Sequence, residues 1–280
     1  MVGRILRAHR SLALARGGES GPWLLRHLPV CASTERELDQ WLRQLPPRAG
    51  RGDPRLPSGG VAGASLGAAW DGPERRLRLP RAVVAHRQRF GHGQQGRLWL
   101  SPPGGVWLSA ALPWPEHPRA GAAPALAVAV ALAAELASVG VPVGLKWPND
   151  LMRLTPQGPR KLAGLLPGLR MRGDRVRWAR IGVGLNGSNP VPQGAANLKA
   201  FPMVRADCPD RLVARVLLAL DLAMELAHQP ETVRASAERL LLPLDPQRLD
   251  GECWWPRGLA ADGGLRLVSN DGRQRVLRRF

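Results

Sequence analysis

The sequence predicts an α+β protein: a mixed central sheet flanked by helices, followed by a small C-terminal β module. Three observations carry that reading. Short apolar runs bounded by glycine and proline recur from residue 81 to residue 185, as strands joined by tight turns should. An alanine-rich stretch and two later segments have the length and periodicity of helices. The last thirty or so residues alternate short apolar runs with Asp-Gly pairs, which are turn chemistry. A chain of 280 residues with 44% hydrophobic content is long enough for one main domain and a smaller appendage.

Residues 1–28 read as a basic N-terminal segment with no acid before Glu19; the composition resembles a transit peptide but lacks an apolar signal core. Residues 29–43 read as a helix entered at Ser33-Thr34, with Thr34 and Glu37 spaced as a capping box and Leu38, Trp41 and Leu42 on one face. Residues 44–76, crowded with Pro, Gly, Ser and Arg and without periodicity, read as a long surface loop holding no catalytic residue. Strands are expected at Ala82–Ala85, Leu98–Leu100 and Val106–Leu112, then a buried helix within Ala120–Val143 with Pro124 at its start. That helix carries Glu135 and is rich in weakly apolar alanine, so it does not read as a membrane span. Further strands are expected at Val141–Leu145, Leu151–Leu154, Leu162–Leu169 and Val176–Leu185, followed by paired helices at Leu212–Ala227 and Val233–Leu242. Asp262-Gly263 and Asp271-Gly272 mark the turns of the tail. The main domain is thus 29–243 and the small β domain 244–280.

A formal charge of +18 points to an acidic partner: nucleic acid, a phosphate-bearing substrate or an acidic protein. The arginines are spread along the chain, tyrosine is absent, and no ribonucleoprotein or helix-turn-helix pattern accompanies them. Charge alone therefore selects none of the three. Cys31, Cys208 and Cys253 show no metal-ligand spacing, and they read as reduced thiols of a cytoplasmic protein.

Only three of the 40 basic residues Lys+Arg are lysines, and two of them, Lys146 and Lys161, stand in dense polar segments. A lysine kept in an arginine-dominated chain suggests a site that needs a compact ammonium instead of a planar fork. In Lys146-Trp147-Pro148-Asn149-Asp150, Asn149 and Asp150 could offer hard oxygens to Mg²⁺ and Lys146 could face phosphate; a plain Pro-Asn-Asp turn explains the same residues. Gly91-His92-Gly93-Gln94-Gln95-Gly96 has the spacing of a dinucleotide fingerprint, but Arg97-Leu98-Trp99-Leu100-Ser101-Pro102-Pro103 follows where a helix should. What remains is a strand-loop-strand whose backbone N–H groups could wrap an anion, helped by Arg97, or a flexible hairpin.

Taken in order, Ser33-Thr34, Gln88 with the Gly91–Trp99 loop, Ser101-Pro102-Pro103-Gly104-Gly105, Lys146–Leu151, Lys161–Leu166 and Gly182-Val183-Gly184-Leu185-Asn186 resemble the biotin protein ligases. The resemblance covers about Cys31 to Leu198. It implies a catalytic domain of the class II aminoacyl-tRNA synthetase-like, biotin-lipoate ligase type and a shortened SH3-like C-terminal module. It also implies ATP, biotin and Mg²⁺, and an acceptor lysine on the biotin carboxyl carrier protein of acetyl-CoA carboxylase. Biotin would be adenylated by MgATP and then transferred. Lys146 and Lys161, singled out by the scarcity of lysine, are the catalytic candidates; by the family's pattern Lys161 touches biotin carboxylate and phosphate, and Ser33, Thr34, Gln88 and Lys161 hold biotin. Gly91, His92, Gly93, Gly96, Arg97, Trp99, Asn149 and Asn186 meet the nucleotide, and Asp150 serves the metal. The resemblance leaves a homodimer open. The first 30 residues are too short for a winged DNA-binding domain, so no specific DNA and no membrane are expected as partners.

Three departures stand out: His92 where the family usually has arginine, with Gln94 and Gln95 where basic residues follow; Glu35 where asparagine often follows Ser-Thr; and a Pro/Gly-rich segment before Arg81 that is longer than the family's usual connection. A lipoate ligase of the same fold and a basic nucleic-acid-binding protein are the competing readings.

Overall fold

The computed structural model describes residues 1–45 and 79–278. Strands β1 (Leu24–Cys31), β2 (Arg81–Gln88), β3 (Val106–Leu112), β4 (Val143–Lys146), β5 (Asp150–Arg153), β6 (Arg160–Arg172) and β7 (Arg175–Leu185) form one sheet in the order β1-β2-β3-β7-β6-β5-β4. The β1–β2 pair is parallel and the others antiparallel, so the sheet is mixed. All seven residues of β3 are buried, which requires cover on both faces.

One face packs against helices α1 (Val2–Leu14), α3 (Pro124–Ala137), α4 (Pro209–Leu226) and α5 (Pro230–Leu240). Leu108, Ala110 and Leu112 of β3 and Ile181, Val183 and Leu185 of β7 share this core with Leu126, Leu132 and Leu217 of the helices. Helix α3 is buried almost all round; its alanines let neighbouring helices approach closely, and Pro124 fits a first-turn position whose N–H has no intrahelical partner. The opposite face carries α2 (Thr34–Arg43), whose Leu38 and Leu42 pack on Val83, Ala111 and Trp178.

The structure corrects the sequence reading in four places. The residues read only as a basic N-terminal segment contain α1, which buries Ile5, His9, Leu12 and Ala13, and most of β1. Residues 29–31 finish β1 and are not helical. The N-cap of α2 is Ser33, whose hydroxyl accepts from Glu35 N at 3.2 Å, so the cap is one residue earlier than expected and the Thr34 hydroxyl is free for another use. Leu98–Leu100 is no sheet strand but one arm of an irregular hairpin, bridged at His92–Leu98 and Gln88–Ser101. Residues 46–76 of the predicted loop lie outside the described residues.

Strands β8 (Gln247–Leu249), β9 (Glu252–Leu259), β10 (Leu265–Ser269) and β11 (Gln274–Leu277) form a separate antiparallel sheet in the order β11-β10-β9-β8. Its Asp-Gly turns place Gly263 and Gly272 at φ +85 and +83, a left-handed region open to glycine. This sheet is tied to the main body by Trp147 Nε1 donating to Gly263 O at 2.9 Å and Leu259 N donating to Glu238 Oε1 at 2.7 Å. Among the described residues no helix is long and apolar enough to cross a membrane.

Candidate active site

On the sheet face that carries α2, glycine replaces side chains in a short strip. The register sets Gly164 opposite Gly184 and Leu166 opposite Gly182, with Trp107 and Ser109 of β3 on the same face. Trp99 lies in the space so opened: a Cβ on Gly184 would stand 2.6 Å from its ring, and one on Gly164 2.9 Å. Only glycine permits that approach. The indole meets Trp107 edge-on, with centroids 6.5 Å apart. Between this floor, α2 and the hairpin lies a cavity of about 360 Å³, within the size range of small-molecule sites.

The end of the cavity nearest α2 is polar, with neutral groups at Thr34, Gln88 and Ser109 and the Glu35 carboxylate also in its lining. Thr34 N and Oγ1 donate to Gln88 Oε1 at 2.8 and 3.0 Å, and Thr34 Oγ1 shares a 2.8 Å bond with Ser109 Oγ. Gln88 Nε2 donates to Ser101 Oγ at 2.8 Å, and Ser101 Oγ to Trp99 O at 3.2 Å. One connected network thus fixes the rotamers of Thr34 and Gln88, and such a set suits a neutral polar head group. Ser33 lines the same end.

The other end is charged. Lys161 Nζ lies 2.7 Å from Asp150 Oδ2 and 5.0 Å from the Trp99 centroid, held by β5–β6 pairing and by an isolated parallel bridge to Ala195. Asn149 bonds Leu165 O through its side chain, while its own carbonyl accepts from Leu165 N at 2.9 Å. Asn186 is buried, donating to Ala196 O and accepting from Asn189 Nδ2, both at 3.1 Å. Lys146 is exposed at the end of β4 and does not line the cavity, so the second lysine singled out in the sequence lies apart from the first. Among the described residues no group of three or more His, Cys, Asp or Glu could cage a metal. A Mg²⁺ arriving with a triphosphate would find one carboxylate here, Asp150, and would rely on phosphate and water for its other ligands.

The hairpin closes the third side. Gly93 N donates to Arg97 O at 2.8 Å and Trp99 N to Gly91 O at 2.9 Å, so these N–H groups serve the hairpin and not an anion. Gln95 and Gly96 turn its tip at φ 57 and 70. Gly93, His92, Arg97 and Trp99 line the cavity, whereas Gly91 and Gly96 do not; a Cβ at Gly91 would strike Ser101 Oγ and Trp99 O, both at 2.6 Å. Arg97 donates to Gln95 Oε1 at 2.9 Å. His92 Nε2 meets Glu35 Oε2 at 2.8 Å, so two of the positions that depart from the family's pattern form one contact.

The sequence reading gave Ser109 and Trp107 no place in the site, and named Ser101 only within the family's motif and Glu35 only as a departure from it. Ser109 and Trp107 sit on alternate positions of a strand that reads as uniformly apolar, and two-residue alternation was the signal that could have found them. Cys31, just before the Ser33-Thr34 pair, has its thiol pushed up to about 11, first by burial and then by the nearby Glu37 carboxylate, which makes it a poor nucleophile.

Residues 68–186 match the biotin/lipoate A/B protein ligase family. The curated bifunctional ligase/repressor BirA of Bacillus spizizenii is 34% identical over 109 residues, 37% of this chain and 31% of that protein; the Bacillus subtilis protein of the same name matches to the same extent. The match thus spans about a third of the length of these relatives. In overall fold the chain resembles the biotin protein ligase of Aquifex aeolicus in complex with biotin and ATP, with a TM-score of 0.60 at 20% identity over 92% of this chain and 99% of that one. It also resembles the Leishmania major biotin protein ligase bound to biotinyl-5-AMP, with a TM-score of 0.52 at 19% identity over 91% and 98%.

Proposed function

We propose that this chain, which matches the biotin/lipoate A/B protein ligase family over residues 68–186, is a biotin protein ligase and carries out ATP-dependent attachment of biotin to a protein lysine, that of the biotin carboxyl carrier protein of acetyl-CoA carboxylase. The observation that carries the reading is the polarity of the cavity: a neutral hydrogen-bonding end at Thr34, Gln88 and Ser109, an indole floor, and the Lys161–Asp150 pair at the far end. A ureido head bonds the first, an aliphatic chain crosses the second, and its carboxylate ends at the third. In that placement Ser33, Thr34 and Gln88 hold the head, and Lys161 neutralises the carboxylate.

The carboxylate oxygen attacks the α-phosphorus of ATP, forming the O–P bond as pyrophosphate leaves. The acceptor amine then attacks the acyl carbon, forming the amide as AMP departs and the amine loses a proton. Charge builds on phosphoryl oxygens in the first step, and a fixed ammonium stabilises it. Mg²⁺ carried by the triphosphate supplies further charge neutralisation, with Asp150 as the carboxylate that would face it. In this reading Asn149 and Arg97 meet the nucleotide phosphates and Asn186 the adenine side. Lys146, outside the cavity, has no part in the chemistry. No enzyme nucleophile is needed, in keeping with the raised thiol of Cys31.

The test is pyrophosphate release on adding biotin or lipoate with MgATP, followed by transfer of labelled biotin to a purified carrier domain. Release with biotin and labelling of the carrier lysine are expected. Release with lipoate alone overturns the reading in favour of lipoate ligation, and release with neither overturns adenylation.

A further inference from the structure

The glycine hairpin is anchored at its base by Trp99, packed on Gly164 and Gly184. Toward its tip, His92 carries it to α2 through the 2.8 Å contact with Glu35. Glu35 does not stand alone: its other oxygen lies 3.1 Å from Arg180 on β7, and Arg180 also bonds Asp39, one turn further along α2. Arg170 of β6 reaches Asp39 at 3.9 Å. The groups facing the pair are therefore Arg180, Asp39 and Arg170 from the sheet and α2, with Arg97 on the hairpin itself. Arg180 orients Glu35 from the rigid sheet, and Glu35 in turn presents an oxygen to the hairpin.

We propose that Glu35 is a positioning residue whose carboxylate, held by Arg180, latches the hairpin over the cavity through His92. The second half of the inference rests on the function proposed above: the latch sets how long the adenylate stays bound. Between Phe90 and Leu98 the hairpin carries one permanently charged side chain, Arg97, and that one is engaged with Gln95. Closure by cations gripping phosphate is therefore weak here. A contact between the hairpin and α2 takes its place. His92 and Glu35 are 40% and 28% exposed, so the pair lies between a surface and a buried contact.

Amide hydrogen exchange of the unliganded protein tests the latch. Glu35→Gln and His92→Ala are each expected to speed exchange at Gly91–Arg97 by roughly three- to tenfold, the range of a partly exposed charged contact. The double variant should be no faster than either single one, because the same contact is lost. His92→Arg, which keeps a donor for Glu35, should stay near wild type. Release of preformed biotinyl-adenylate on rapid dilution should rise by the same factor in the first three variants. Unchanged exchange in the single variants, or effects that multiply in the double, overturns the latch. Should Glu35→Gln fail to fold, His92→Ala on the exposed hairpin decides alone. Because the exchange experiment needs no ligand, a failed latch and a failed functional reading give different results: the first shows in the unliganded hairpin, the second in an absence of any adenylate.

Discussion

Lys161 meets a carboxylate and an aromatic face at once, with Asp150 at 2.7 Å and the Trp99 ring at 5.0 Å. Both contacts favour a compact ammonium free to turn toward an incoming anion. Lys161→Ala is expected to slow pyrophosphate release by roughly 100- to 1,000-fold, the usual cost of removing one fixed group that stabilises transition-state charge. Circular dichroism and the melting temperature should stay near wild type, because the side chain is 37% exposed and packs little. Lys161→Arg should rescue poorly, since a planar fork cannot occupy the same point. A near wild-type rate for Lys161→Ala would remove the lysine from the mechanism. At this scale the sequence showed residue types but not partners. The scarcity of lysine flagged Lys146 and Lys161 equally, and only the fold separates the cavity residue from the exposed one. Glu35 and His92 each looked like a loss of family character, and their 57-residue separation hid that they touch.

Elements were legible where periodicity is strong. The strands from Ala82 to Leu185, the alanine-rich helix and the two later helices occur at or near the expected places. Helix α1 was hidden because Arg4, Arg7 and Arg10 made it read as part of a basic segment, while its buried stripe amounts to four residues. The Leu98–Leu100 run failed as a strand because its alternation serves the hairpin, with Trp99 turned to the glycine strip and its neighbours Leu98 and Leu100 exposed at 71% and 59%. That strip yields an element-scale prediction. Gly184→Ala adds one methyl 2.6 Å from the Trp99 ring, which must shift to admit it. Overpacking of this kind costs about 1–3 kcal/mol. Here we expect displacement of Trp99, read as a shifted tryptophan emission and a KM for biotin raised by roughly tenfold or more, together with a melting temperature lowered by roughly 2 to 10 °C. An unaltered KM would mean that the indole is not the floor of the biotin site.

At the scale of the whole molecule, the C-terminal sheet is joined to the body where the site is built. Trp147, beside the Asn149-Asp150 pair, donates to Gly263 in the β9–β10 turn, so that sheet supports the segment that presents Asp150. The same interface is clamped by Glu238 on α5, which accepts from Leu259 N at 2.7 Å and pairs with Arg234 at 2.7 Å and Arg266 at 3.3 Å. Burial works against its ionisation, but the Leu259 N–H and the two guanidinium groups outweigh burial and hold the carboxyl below its ordinary value. A carboxylate whose folded pKa lies below its unfolded one contributes stability that is fully present above the unfolded pKa. That contribution is lost as pH falls through the folded value. Glu238→Gln keeps the shape and removes the charge, and at neutral pH it should cost about 1–2 kcal/mol, or roughly 2 to 6 °C in melting temperature for a chain of this size. Lowering the pH should bring the two melting curves together, beginning in the ordinary glutamate range and finishing below the depressed pKa, as the wild-type carboxylate takes up its proton. Because the clamp lies between the sheet and the site segment, the variant should also lose activity at lower temperature than it loses helix signal. A melting difference that stays constant from pH 7 down to pH 3 would show that Glu238 acts by shape and not by charge.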